Sequence, residues 1–121
     1  LGKYIPLNVS APFHSELLNE RSNLFERKIS DIVFNDVETD VISNYMLINY
    51  KNISKTEYSN QLKAQIHSPV MWSDTIQKII STNVENFIEI GPKKTLLNFI
   101  PRNFAGDKIS ITNNEEFENY V

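Results

Sequence analysis

Cysteine is absent from this chain, which removes disulfides, thiolate metal sites and a thiol nucleophile together. Histidine is scarce: only His14 and His67 offer a side-chain base near neutral pH. Excess positive charge is lacking too. Lys and Arg number 12 against 15 Asp and Glu, a formal net charge of -3, so the concentrated basic face of a nucleic-acid binder is not expected. No apolar run approaches the roughly 18 residues that a membrane span needs, and the opening residues lack a signal-peptide pattern. No membrane partner, metal or cofactor is expected. The cysteine-free composition is compatible with a reducing cytosol, and a cytoplasmic location is the expectation. The first residue is Leu1 rather than Met, which reads as a cut end with part of the parent protein missing.

What is present is ordinary for a globular domain with one core: 121 residues, 40% hydrophobic and 22% charged. Proline punctuates the chain at Pro6, Pro12, Ser68-Pro69, Gly91-Pro92 and Pro101. Residues 3–9 alternate enough for an edge strand, where a proline is tolerated. Ser15 is placed to cap a helix carrying Leu17, Leu18, Leu24, Phe25 and Ile29 at helical spacing. Ile32-Val33-Phe34 is a short apolar run, and Val41-Ile42 reads as a buried strand. Ser54-Lys55-Thr56-Glu57 matches a capping box and opens a helix with Tyr58, Leu62 and Ile66 inward. A third helix is predicted over residues 73–81, burying Ile76, Ile79 and Ile80. The strand Phe87–Ile90 should turn at Gly91-Pro92 straight into a helix, with proline in its first turn and Leu96, Leu97, Phe99 and Ile100 as its apolar positions. A strand at 108–112 and a short acidic helix at 115–120 complete the pattern. Strands alternating with helices predict an α/β fold, a parallel sheet covered on both faces.

His14 lies in Val9-Ser10-Ala11-Pro12-Phe13-His14-Ser15, between a strand end and a helix start, where scaffolds often present reactive groups. The plain alternative is a surface or half-buried loop residue. This segment resembles the catalytic-histidine motif of the malonyl-CoA:acyl-carrier-protein transacylase family, which includes fatty-acid synthesis enzymes and polyketide synthase acyltransferases. Three further stretches follow in the family's order. Val41-Ile42-Ser43-Asn44 is similar to its valine-serine-asparagine strand, Gln65 to Trp72 to its Gln-x-x-x-Pro-Val-x-Trp segment, and Phe87 to Pro92 to its Glu-x-Gly-Pro strand-turn.

The resemblance implies transfer of a malonyl group from malonyl-CoA to the phosphopantetheine thiol of an acyl carrier protein, through an acyl-serine intermediate. His14 would be the general base, and the backbone carbonyl of Gln65 would hold its imidazole. The Gln65 side chain need not matter then, and Gln65→Ala should cost far less activity than His14→Ala. Phe13 would lie beside the substrate's α-carbon, where phenylalanine goes with malonyl and serine with methylmalonyl. A methyl group discriminates by only about 1–3 kcal/mol, so the expectation is preference. The alternative for Phe13 is core packing. The resemblance also implies an α/β-hydrolase-like acyltransferase of which this is the C-terminal part. Residues 1–14 would be the final strand of a ferredoxin-like small subdomain with the histidine loop, and residues 15–121 would belong to the large subdomain.

Departures matter as much. No Gly-His-Ser-x-Gly elbow occurs, so the nucleophilic serine is not here. Arg21, Arg27 and Arg102 do not match the arginine that would pair with malonate's free carboxylate. The chain alone should not turn over malonyl-CoA, and the missing N-terminal half is its expected partner. Lys93 stands where the family usually has glycine; a phosphate site at Lys93-Lys94 is weighed against solvated lysines in a turn, and the turn is favoured. His67 with Ser68 is read as structural, Trp72 as a buried anchor, and Glu115, Glu116 and Glu118 as a solvated cluster. An acyl-carrier-protein hydrolase of the same fold, or a non-catalytic scaffold, are the alternatives.

Overall fold

Short apolar runs broken by proline dictate short elements. The computed structural model describes residue 6 and residues 8–121. Its elements are α1 (Asn19–Ile29), α2 (Lys55–His67), α3 (Trp72–Ile80), β1 (Asn86–Ile90), β2 (Asp107–Ile111) and α4 (Asn114–Tyr120), with 3-10 turns at Glu16–Leu18, Tyr50–Asn52 and Leu96–Phe99. The chain divides into two compact units, Leu1–Thr75 and Ile76–Val121. The edge strand expected at 3–9, and with it the last strand of a ferredoxin-like subdomain, falls mostly outside the described residues; Asn8 and Val9 form no strand.

In the first unit α1 packs against α2. Ser15 precedes the 3-10 turn with extended backbone, but its hydroxyl does not cap. It donates backwards to the Pro12 carbonyl at 2.7 Å, closing the loop that holds His14. The apolar stripe of α1 is only partly covered: Ile29 is buried, Leu24 and Phe25 are exposed, and the residue with no exposure at all is Ser22. Its hydroxyl turns back to donate to the Asn19 carbonyl in the preceding turn. Lys63 of α2 reaches Glu26 of α1 at 2.7 Å, a partly exposed pair worth about 0–1 kcal/mol.

Val41-Ile42 does not become the expected strand. Ile42 makes a single antiparallel bridge to Asn49, and Val41 is exposed. The chain reverses at once: the Ser43 N–H donates to Ile48 O at 2.8 Å, the Leu47 N–H returns to Ser43 O at 3.1 Å, and Leu47 takes a left-handed φ of 56°. No room remains for a second rung. At the start of α2, Ser54 Oγ accepts the Glu57 N–H at 3.3 Å. The carboxylate of Glu57 does not complete the box; it accepts from Gln61 at 3.1 Å and Asn60 at 3.3 Å. Of the positions expected inward, Tyr58 is buried while Leu62 and Ile66 are half-buried. Phe34, Tyr58 and Tyr50 stack edge to face, at 5.7 and 5.4 Å between centroids.

The second unit is built on β1 and β2, which pair in parallel with Asn86 opposite Asp107 and Ile90 opposite Ile111. Ile76, Leu97, Ile100 and Ile111 are its buried residues. The expected sheet covered on both faces is corrected here. Among the described residues two strands make it, and Ile88 and Ile90 lie 41% and 70% exposed, so one face is bare. The crossover differs too. Pro92 does not start a helix; helical structure begins only at Leu96 and lasts four residues. The cause is Glu89, whose carboxylate accepts the N–H groups of Thr95 and Leu96 at 3.0 Å and of Leu97 at 2.9 Å. These donors would otherwise be unpaired at a helix start. The hydrogen bonds from Leu96 and then Leu97 hold the Glu89 carboxyl below its usual range.

Gly106 marks a close approach: a Cβ there would run into the Glu85 carbonyl oxygen and the Phe104 ring. Asn113 Oδ1 caps α4 by accepting the Glu116 N–H at 2.9 Å, while the Glu116 carboxylate accepts the Thr112 N–H at 2.6 Å. Glu115, Glu116 and Glu118 are all exposed, as expected, and Glu116 serves as a cap besides.

Candidate functional site

An α-helix leaves its last carbonyls without intrahelical donors, and α2 finds a partner for them in His14. Ser68-Pro69 sets the stage. The residue before a proline is driven out of helical conformation, and Ser68 is extended at φ -99°, ψ 152°. The helix ends there, with Ala64 O taken by the Ser68 N–H at 3.0 Å. The next carbonyls face the loop 11–15. Ile66 O accepts the backbone N–H of His14 at 3.2 Å. Nδ1 of the His14 ring lies 2.9 Å from Gln65 O and 3.1 Å from Ser68 O.

Those two contacts fix the tautomer. A carbonyl oxygen only accepts, so Nδ1 must carry the hydrogen, and Nε2 is left with a bare lone pair. The ring is exposed, so Nε2 can receive a proton. His14 itself has φ 58°, a left-handed conformation that is costly for a residue with a Cβ. Backbone strain held by several hydrogen bonds is a feature that clusters at functional sites.

Around the ring runs an open groove of about 580 Å³ whose walls include Phe13, His14, Arg21, Phe25, Gln65 and Ile66. Phe13 is 58% exposed in it, which excludes core packing within this chain. Thus the neighbours Phe13 and His14 meet Gln65, 51 positions beyond His14, at one groove. Within the first unit, the stretch Val41–Asn44 lies behind them. The Gln65 side chain is engaged: its Nε2 donates to Tyr50 Oη at 3.0 Å and to Ser43 Oγ at 3.5 Å. Asn44 O accepts the Met71 N–H at 2.7 Å. Burial pushes the Tyr50 phenol above its ordinary value, so it stays neutral.

Other residues singled out in the sequence stand apart. His67 ends α2, and no hydrogen bond joins it to Ser68 within the described residues. Trp72 opens α3 with a buried Nε1 that has no hydrogen-bond partner among the described residues. Lys93 and Lys94 are exposed, and the N–H groups that a phosphate would need nearby are already held by Glu89. Among the described residues no group of His, Asp and Glu could hold a metal, and no helix is long and apolar enough to cross a membrane. Sequence reasoning missed the Ser68 and Ile66 carbonyls. The signal was present in Ser68-Pro69, since a pre-proline residue cannot extend the helix and turns its carbonyl elsewhere.

Known proteins provide the comparison for this arrangement. No protein-family model matches the chain. Over 98 residues, 81% of its length, it is 35% identical to the malonyl CoA-acyl carrier protein transacylase of Bacillus subtilis strain 168, of which that stretch is 30%. To the enzyme of the same name from Buchnera aphidicola it is 32% identical over 121 residues, 99% of the chain and 37% of the relative. The crystal structure of malonyl CoA-acyl carrier protein transacylase from Clostridium perfringens superposes with a TM-score of 0.82 at 30% identity, covering 96% of this chain and 36% of that one. The chain therefore spans about a third of the length of the curated relatives it matches.

Proposed function

Because this chain belongs to the malonyl-CoA:acyl-carrier-protein transacylase family, we propose that it supplies the histidine base of a malonyl transfer site whose serine nucleophile lies elsewhere in the full-length protein. One observation carries the reading: His14 Nδ1–H is held by Gln65 O and Ser68 O, which leaves Nε2 bare and open to solvent. A hydroxyl is a poor nucleophile until a base in hydrogen-bond reach takes its proton. Nε2 takes the serine proton as the oxygen attacks the malonyl thioester carbonyl. The carbon–sulfur bond breaks, coenzyme A leaves as its thiol with that proton, and a malonyl-serine ester forms. In the second half Nε2 takes the proton of the carrier protein's phosphopantetheine thiol. The sulfur attacks the ester, and the proton returns to the departing serine. The carbonyls behind Nδ1 stabilise the imidazolium in both halves, a task often given to a carboxylate.

Phe13, exposed in the same groove, is proposed to lie against the malonyl α-carbon and to disfavour a branching methyl. The partners of the site are then malonyl-CoA, an acyl carrier protein and the rest of the polypeptide. The test is to incubate the full-length protein with malonyl-CoA and weigh it. A single malonyl adduct, discharged by holo carrier protein and strongly diminished in His14→Gln, is the expected result. No adduct in the wild-type protein refutes transfer and leaves a scaffold; an adduct released to water as fast as to carrier protein identifies a hydrolase.

A further inference from the structure

We propose that Tyr50 is a positioning residue for this reaction, acting through the Gln65 side chain on the carbonyl that fixes the His14 tautomer. The inference rests on the reading of His14 as a base and deepens it. It starts from a weakness of the site. The carbonyl of Gln65 lies in the last turn of α2, where intrahelical hydrogen bonds no longer hold the backbone and helices fray. A base oriented by that carbonyl needs the residue anchored by other means.

The anchor is the Gln65 side chain. Its Nε2 donates to Tyr50 Oη at 3.0 Å, with Ser43 Oγ a longer second acceptor at 3.5 Å. Both acceptors belong to buried residues. Ser43 is 1% exposed and Tyr50 9%. The Tyr50 ring packs edge-on against Tyr58 at 5.4 Å, and the Tyr50 N–H donates to Val41 O at 2.9 Å. Asn49 begins the 3-10 turn that carries Tyr50 by accepting the Lys51 N–H. The phenol oxygen is thus fixed from its ring and its backbone together.

Tyr50 cannot touch the groove chemistry directly. It lines a separate cavity of about 470 Å³ with Phe34, Ser43 and Tyr58, and Gln65 and Leu62 are the residues shared with the His14 groove. Any influence on the imidazole must pass through that wall. Tyr50→Phe isolates the effect, because it keeps the buried ring and removes one oxygen. The Gln65 amide is then left with the distant Ser43 alone.

Steady-state kinetics and ¹⁵N-histidine NMR of the full-length protein test the chain of contacts. In Tyr50→Phe, kcat for malonyl transfer should fall about three- to tenfold, the size of one ordinary hydrogen bond, with KM for malonyl-CoA unchanged. The His14 resonances, assigned by their loss in His14→Gln, should report Nδ1–H in the wild type and a new Nε2–H population in Tyr50→Phe. Gln65→Leu should reproduce both changes, and the double variant should be no worse than either single one, since both break one link. Unchanged kcat and an unchanged tautomer in Tyr50→Phe and Gln65→Leu overturn this inference and leave the base assignment standing. Wild-type His14 protonated on Nε2 overturns the base assignment itself.

Discussion

Replacing His14 by alanine and by glycine separates the two demands this position meets. The ring makes two hydrogen bonds through Nδ1, but it is exposed, so water replaces much of what is lost; removing it should cost about 1 kcal/mol. The backbone is held at φ 58°, a conformation that costs a residue with a Cβ about 1–2 kcal/mol. Alanine loses the bonds and keeps the strain. Glycine loses the same bonds and relieves it, but gives back about 0.4–1 kcal/mol through the greater freedom of its unfolded chain. The relief outweighs that loss. His14→Gly should therefore be more stable than His14→Ala by about 0.5–1 kcal/mol, against the usual order of the two residues. Urea unfolding of the full-length variants reads that difference. Both should lose transfer activity alike, by about 10²–10⁴-fold, the reach of a general base. A glycine variant less stable than the alanine variant refutes the left-handed backbone. An alanine variant keeping a tenth or more of wild-type activity refutes the base.

Three other outcomes follow. Phe13→Ser should raise methylmalonyl against malonyl transfer by up to about 10–200-fold, read in a competition assay; unchanged selectivity would remove Phe13 from the substrate's side. Gly106→Ala should destabilise by about 1–3 kcal/mol, because the Cβ meets backbone at Glu85 O that cannot swing aside; wild-type urea stability would show that β2 starts elsewhere. The Glu89 carboxyl is held low by Leu96 and Leu97, so its stabilising contribution is complete above the unfolded carboxyl value of 4.5. It fades as pH falls through the lower folded value. Glu89→Gln should be less stable than wild type at pH 7, with the gap closing in acid; a gap independent of pH would mean that its charge is irrelevant.

What could be read from the sequence was what neighbouring residues decide. Ser54 starts α2 as expected, though Glu57 does not close the box; Phe87–Ile90 carries its own strand pattern; and the contiguous stretches that singled out His14, Phe13 and Gln65 supply residues that line one groove. What escaped depends on which of several available partners each group finds. The strand expected at Val41-Ile42 failed against a turn closed by Ile48 and Leu47. The helix expected at Pro92 was deferred to Leu96 by a carboxylate on the preceding strand. Ser15 had the right residue type for a cap, yet its hydroxyl found Pro12 O first. The Gln65 side chain, read as idle, meets Tyr50 across 15 positions, a distance over which no local pattern carries information.

The end of α2 has a thermal consequence. Helix termini open at a fraction of the free energy needed to unfold a domain, and here one terminus presents the acceptors for the ring and for the loop backbone together. When that turn melts, Gln65, Ile66 and Ser68 withdraw in concert, and the imidazole is free to swivel and exchange its ring hydrogen between nitrogens. On warming, turnover should fade several degrees before the bulk of the protein denatures, and recover at once on cooling.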